Sequence, residues 1–212
     1  MKEDRSLATP GPEGLFLTCF AAENQFQWDM AGVTDVVVND GSVGVNFRGS
    51  FSGSDRSSKV PVASLECKPR DAGGVKRGSG DSESFIASVF AQEVGEMIGG
   101  MIAQRTKLEL IKHRDQESFV VSMHGTLFYI SAAYFSPEYI RYMETTRPGE
   151  VTDVDGVLLW VRRSIHFDLK DANQRGQALK FLWALIRYIA SGEARLNIVT
   201  AAIDAQRGVA TN

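Results

Sequence analysis

Cysteine is scarce. The 212 residues hold two, Cys19 and Cys67, too few for a disulfide framework or a zinc cluster. Histidine is also scarce, with three in the chain. His113, His124 and His166 are scattered along the chain, so neither a zinc site nor a Ser/His/Asp arrangement is supported. Gly73-Gly74 and Gly78 are not followed by Gly-Lys-Ser/Thr, which excludes a phosphate loop. No apolar run reaches the roughly 18 residues that a membrane-spanning helix needs. The opening Met1-Lys2-Glu3-Asp4-Arg5 has no secretory apolar core, so a cytoplasmic or nuclear location is expected. A large charge imbalance is also missing. The formal net charge of −3 gives no global support for binding a polyanion, so any such support must be local.

What is present is globular in character. Hydrophobic residues make up 43% and charged residues 23%, enough to bury a core and to argue against a mostly disordered chain. Residues 1–13 are polar, with Pro10-Gly11-Pro12, and read as a loose tail; 14–212 read as one domain. Leu15 to Phe26 suits a short helix or a strand. Val33 to Val38 is β-branched and reads as a strand. Asn39-Asp40-Gly41-Ser42 is a turn signal, and the alternation of Val43, Val45 and Phe47 then predicts a hairpin. Gly49 to Lys59 reads as a loop, Val60 to Lys68 as a third strand, and Asp71 to Gly80 as a second loop. A helix follows, with Asp81 or Ser82 as N-cap and Phe85, Val89, Phe90, Val94, Met97, Ile98 and Met101 at helical spacing. Within it, Gly99-Gly100 weakens the helix or admits a close neighbour. Strands are predicted over Phe119–Met123 and Thr126–Ala132 around His124-Gly125, with a short helix opened by Ser136-Pro137-Glu138. Val157–Leu169 reads as one long strand, Asn173–Ala190 as an amphipathic helix with Phe181, Trp183, Leu185, Ile186 and Ile189 as core, and the last twenty residues as a further helix. This order predicts an α/β sandwich, a mixed β-sheet flanked by helices.

The informative segment for chemistry is Val62-Ala63-Ser64-Leu65-Glu66-Cys67-Lys68-Pro69. Alternation along a strand puts Val62, Ser64, Glu66 and Lys68 on one face and Ala63, Leu65 and Cys67 on the other. The second set suits packing under a helix. Cys67 then reads as a small core residue. The first set ends in a carboxylate and an amine. A carboxylate ligates Mg²⁺, and a neighbouring ammonium orients a water or stabilises charge on a phosphoryl oxygen. Pro69 ends the strand there, where sites on open sheets lie. One carboxylate is a poor Mg²⁺ site. Asp35 is the best second candidate, because it interrupts a β-branched stretch fit for burial, where an unpartnered Asp is costly. Asp40 and Asp55 sit in turn or loop sequence, where Asp is ordinary. Arg162-Arg163 reads as a solvated strand edge, with contact to a phosphate as the alternative.

A strand bearing Asp35, a strand bearing Glu66-x-Lys68, and a following helix with Gln92 near its middle resemble the PD-(D/E)xK nuclease superfamily, with its restriction-endonuclease-like fold. The style of Glu-Cys-Lys-Pro and of the later Phe-Ser-Pro-Glu-Tyr-Ile-Arg-Tyr is similar to nuclease-like domains of fungal proteins. The resemblance implies a hydrolase in which Asp35 and Glu66 bind Mg²⁺ or Mn²⁺, while Lys68 and Gln92 complete the site around a nucleic-acid phosphodiester, DNA before RNA. Gln92 falls at the edge of the helix's apolar stripe and Glu93 inside it, so either is the helix's contribution. Residues 48–77 carry seven basic and three acidic residues, the local positive excess a phosphate backbone needs. The competing expectation is a catalytically inactive module of the same fold that binds nucleic acid or protein. A homodimer or fusion to further domains is compatible with either.

Overall fold

A computed structural model describes residues 15–30, 33–47, 60–68, 87–108, 113–144 and 157–209. The N-terminal tail, both basic loops and the Asp81/Ser82 cap fall outside the described residues. The elements are β1 (Leu15–Phe20), β2 (Asn24–Met30), β3 (Val33–Asn39), β4 (Gly41–Phe47), β5 (Pro61–Lys68), α1 (Ala87–Lys107), β6 (Gln116–His124), β7 (Leu127–Phe135), α2 (Pro137–Glu144), β8 (Trp160–Arg163), β9 (Phe167–Asp168), α3 (Ala172–Ala190) and α4 (Asn197–Val209). The architecture is α/β. A mixed seven-stranded sheet runs β1-β4-β5-β6-β7-β8, with β9 also on β7, and β2 and β3 form a separate antiparallel pair. β1, β4 and β5 are antiparallel neighbours. β5 and β6 are parallel, and α1 is the crossover that parallel neighbours require.

The sheet has helices on both faces. On one side, α1 packs over β5 and β6, and the β2–β3 pair lies against α1 in turn. Met97, Met101, Val120, Phe135, Ile140 and Met143 form that core. On the other side Leu17, Val45, Ala63, Phe119, Ile189, Leu196 and Val199 join the sheet to α3 and α4. Asp171 caps α3 by accepting from the Gln174 N–H at 2.8 Å. Gly99 meets the expectation of a close neighbour, since an added Cβ would lie 2.5 Å from the Phe26 Cβ. This contact seats the β2–β3 pair on the helix. No helix among the described residues is long and apolar enough to cross a membrane.

Several local expectations are corrected. Asn39-Asp40-Gly41 is not a hairpin turn. β3 pairs with β2, and β4 pairs with β1 and β5. The chain changes sheets at Asp40, and buried Asn39 fixes the change by accepting from the Asn24 N–H and donating to Ser64 Oγ, both at 3.0 Å. The Val33–Val38 run is an outer strand; Val33, Val36 and Val38 are exposed, because the pair lies over α1 and not inside the main sheet. Val157–Leu169 is broken into β8 and β9 by Ser164, whose hydroxyl accepts from the Ile130 N–H at 3.1 Å and donates to the Ile165 carbonyl at 2.8 Å. Val62 leaves the face of Ser64 and Glu66. The register slips there, and Val62 packs with the opposite core. Phe181 and Trp183 are exposed, since α3 turns its Ala178–Ile189 side to the sheet. Cys67 is exposed as well, because on the face opposite Glu66 the end of β5 lies beyond α3 and α4.

Candidate active site

Alternation and register assemble a polar cluster on the α1 face of the sheet. Glu66 is opposite Ser122, and Lys68 opposite His124, on parallel β5 and β6. Ser122 is opposite Tyr129, and Ser131 opposite Arg163. Directly paired residues share a face, so all of these point at α1. That helix supplies Gln92, Glu93 and Glu96. Glu66, Glu93 and Glu96 are each no more than 1% exposed, an unusual concentration of buried acids.

Two subclusters divide these groups. In the first, Lys68 Nζ forms an ion pair with Glu66 Oε1. Gln92 Nε2 donates to Glu66 Oε1 at 3.0 Å and, more weakly, to Glu96 Oε1 at 3.4 Å. Glu66 Oε2 and Glu96 Oε2 are buried, and among the described residues no N–H or alcohol hydroxyl donates to either. Burial first, then the charge of Glu66 and the hydrogen bond shared with it, push the Glu96 carboxyl up to about 10. The pair thus holds one proton near neutrality, as two close carboxylates must. In the second, His124 Nε2 lies 3.1 Å from Glu93 Oε1 and Arg163 3.3 Å from the same atom. Ser131 Oγ donates to Glu93 Oε2 at 3.4 Å, and the Arg163 guanidinium stacks 4.1 Å above the Tyr129 ring. Burial alone would raise the Glu93 carboxyl. The His124 hydrogen bond and the charge of Arg163 outweigh it and hold Glu93 below the usual carboxylate range.

The structure brings Glu66, Lys68 and Gln92 together. It does not bring Asp35 to them. Asp35 is exposed on β3, and its Oδ1 accepts from the Val36 N–H at 2.7 Å. It lies five positions before Asp40, about 16 Å of strand at roughly 3.3 Å per residue. Asp40 is the acid beside the strand end. Its N–H donates to the Leu65 carbonyl at 3.1 Å, and its Oδ2 accepts from the Cys67 N–H at 2.7 Å. Partial burial of the sulfur, then the charges of Asp40 and Glu66, raise the Cys67 thiol above its ordinary value, against Lys68. Sequence reasoning passed over Glu96, His124, Ser131 and Arg163. A usable signal existed for the helix: Glu93 and Glu96 interrupt the Val89–Met97 apolar stripe on the face that packs on the sheet.

Among the described residues, no group of three or more His, Cys, Asp or Glu side chains is arranged to hold a metal. The facing oxygens of Glu66 and Glu96 do fit a hard cation. Mg²⁺ takes one or two carboxylates and completes its shell with water and substrate oxygens, and a cation resolves the same like-charge conflict that the shared proton resolves. Comparison with known protein families, with characterised proteins and with solved structures gives no match to this chain.

Proposed function

We propose that the protein is a metal-dependent phosphodiesterase acting on nucleic acid, with DNA the first substrate to test. The observation that carries this reading is the facing pair Glu66/Glu96 with Lys68 beside it, at the carboxyl end of β5 and under the crossover helix that links β5 to β6. The antiparallel β1-β4-β5 run followed by that crossover supports the resemblance to PD-(D/E)xK nucleases. On this reading Glu66 and Glu96 hold Mg²⁺ or Mn²⁺, and Glu96 takes the place assigned to Asp35. The ion, when bound, supplies Lewis-acid polarisation of a phosphoryl oxygen and a more acidic water.

The chain's own residues do the rest. Gln92 fixes the Glu66 carboxylate by donating to Oε1 and leaves Oε2 for the ligand. Lys68, partly exposed at the strand tip, orients the attacking water and stabilises charge developing on the phosphate. Arg163, held by Glu93 and Tyr129, adds a fixed positive charge on the same face. The test is cleavage of single- and double-stranded DNA and RNA across a Mg²⁺ and Mn²⁺ titration, alongside thermal melts. Glu66→Ala and Lys68→Ala are each expected to cut the rate about 10²-fold or more, in line with the loss of one preorganised electrostatic group. Activity without metal, or unchanged in Glu66→Ala, refutes the mechanism. No cleavage and no metal-induced rise in melting temperature would favour the inactive binding module.

A further inference from the structure

A second feature lies on the opposite face of the sheet and at the opposite strand ends. Glu117, Tyr134 and Trp160 form one row of directly paired residues across β6, β7 and β8. Phe119, Ala132 and Arg162 form the next. Ala132, the smallest side chain, sits in the middle of its row between Phe119 and Arg162. Above it stands Tyr188 of α3, edge-on to Phe119 with ring centroids 6.2 Å apart. The result is a hollow of about 640 Å³, within the range of small-molecule sites. It is open along the edge strand β8.

The walls are held in place. The Tyr188 hydroxyl donates to Glu117 Oε2 at 2.8 Å, and the same oxygen accepts from the Arg195 N–H at 2.9 Å. The Tyr134 hydroxyl donates to Asp115, which also pairs with Arg195. These bonds tie down the polar ends of both tyrosines. They also satisfy Glu117, the one acid among the described residues that line the hollow. Arg162 lines the hollow without an acid partner among the described residues, and Trp160 beside it is 62% exposed. The rim therefore carries an uncompensated cation next to a broad aromatic face.

We propose that this hollow is a nucleotide-binding site, with the planar base against Trp160 and Tyr134 and the phosphate on Arg162. A purely apolar occupant would leave the guanidinium unanswered. An anion without a flat body would leave the aromatic faces uncovered. Base–aromatic stacking and a charge-assisted bond to phosphate are the two interactions these residues supply.

The experiment is equilibrium binding of the four ribonucleoside monophosphates, followed by quenching of tryptophan fluorescence and by calorimetry. It is run in EDTA and repeated with Glu66→Gln, so that the metal-site reading plays no part in the outcome. Saturable binding is expected. Arg162→Gln should weaken it about tenfold or more, and removing the phosphate, by using the nucleoside, should weaken it equally. Ala132→Leu should abolish it by filling the hollow, and exposed Trp160→Ala should weaken it about tenfold while leaving the melting temperature near wild type. No saturable binding of any monophosphate, affinity unchanged in Arg162→Gln, or occupation of the hollow by a second copy of the chain in sedimentation experiments would each overturn the proposal.

Discussion

Glu96→Gln tests the carboxylate pair most directly. Glu96 is buried, faces Glu66, and its carboxyl is pushed up to about 10 by burial first, then by the charge of Glu66, by their shared hydrogen bond and by Glu93, with Lys68 opposing. In the unfolded chain a glutamate titrates near 4.5. Between those values the folded protein holds a proton that the unfolded chain has released. Stability linked to Glu96 is therefore fully present below about pH 4.5 and is lost as pH rises toward 10, at about 1.4 kcal/mol per pH unit. At pH 7.5, about three units into that window, the cost is about 4 kcal/mol. Glutamine keeps the shape, donates an N–H toward Glu66 and takes up no proton. In EDTA, Glu96→Gln should be the more stable protein at pH 7.5, by up to about 4 kcal/mol, and the gap should close near pH 5. Urea unfolding at pH 5, 6.5 and 8 measures both the difference and its slope. On the proposed reading, added Mg²⁺ should raise the stability of wild type and leave Glu96→Gln nearly unmoved. Coincident pH slopes for the two proteins, or a metal-free variant less stable than wild type at pH 7.5, would refute the reasoning.

Other substitutions probe the surroundings. Arg163→Met leaves the buried Glu93 carboxylate with less compensation and should cost about 2–4 kcal/mol; adding Glu93→Gln should recover part of this in a double-mutant cycle. Because Glu93 is held below the usual carboxylate range, its contribution is present at neutral pH and lost as pH falls through its lowered folded value, so wild type should lose more stability on acidification than Arg163→Met. Gly99→Ala brings a Cβ to 2.5 Å from Phe26 and should destabilise by about 1–3 kcal/mol despite better helix propensity, whereas Gly176→Ala in α3, with nothing within 4 Å of the new Cβ, should stabilise by about 0.5–1 kcal/mol; thermal melts compare the two. Asp35→Ala should leave the Mg²⁺-induced melting shift unchanged, while Glu66→Ala removes it.

The sequence made local periodicity visible and long-range register invisible. α1, α3, the Ser136-Pro137-Glu138 helix start and the strand ending in Glu66-x-Lys68 follow from spacing, caps and a terminating proline, all short-range signals. The β3–β4 misreading shows the limit. Asn39-Asp40-Gly41 has turn chemistry, but whether a turn closes a hairpin or passes the chain between sheets depends on partners such as Asn24 and Ser64, 15 and 25 residues away from Asn39. Asp35 misled for a related reason. A β-branched run suits any pleated surface, and only the placement of the β2–β3 pair on α1 decided that this one is half-exposed. In α1, by contrast, an acid inside an apolar helical stripe must be buried with a partner. That rule points to Glu93 and to Glu96 alike. What it cannot give is the partner, which register alone supplies: Ser131 reaches Glu93 from a strand read without any site role, and Arg163 from one read as a solvated edge.

Charge balance links the two subclusters to substrate. Counting carboxylates, the ammonium and the guanidinium, Glu66, Glu93 and Glu96 supply three negative charges, and Lys68 and Arg163 two positive ones. The deficit is one positive charge, and the proton shared by Glu66 and Glu96 fills it. On the proposed reading, a divalent cation in place of that proton leaves the cluster with one positive charge in excess. A buried excess charge is costly, so metal binding by the protein alone should be weak and should release a proton. A phosphodiester carries the one negative charge that restores neutrality. Metal and nucleic acid should therefore bind with positive coupling, and the coupling is reciprocal. Titration of Mg²⁺ by calorimetry, with and without a non-hydrolysable phosphorothioate oligonucleotide, measures it. Metal affinity should rise several-fold or more in the presence of the oligonucleotide, and oligonucleotide affinity should rise by the same factor in Mg²⁺. In Glu96→Gln, where no proton is available to displace, the factor should fall toward one. Equal metal affinity with and without the oligonucleotide would show that the buried acids are not the seat of the metal.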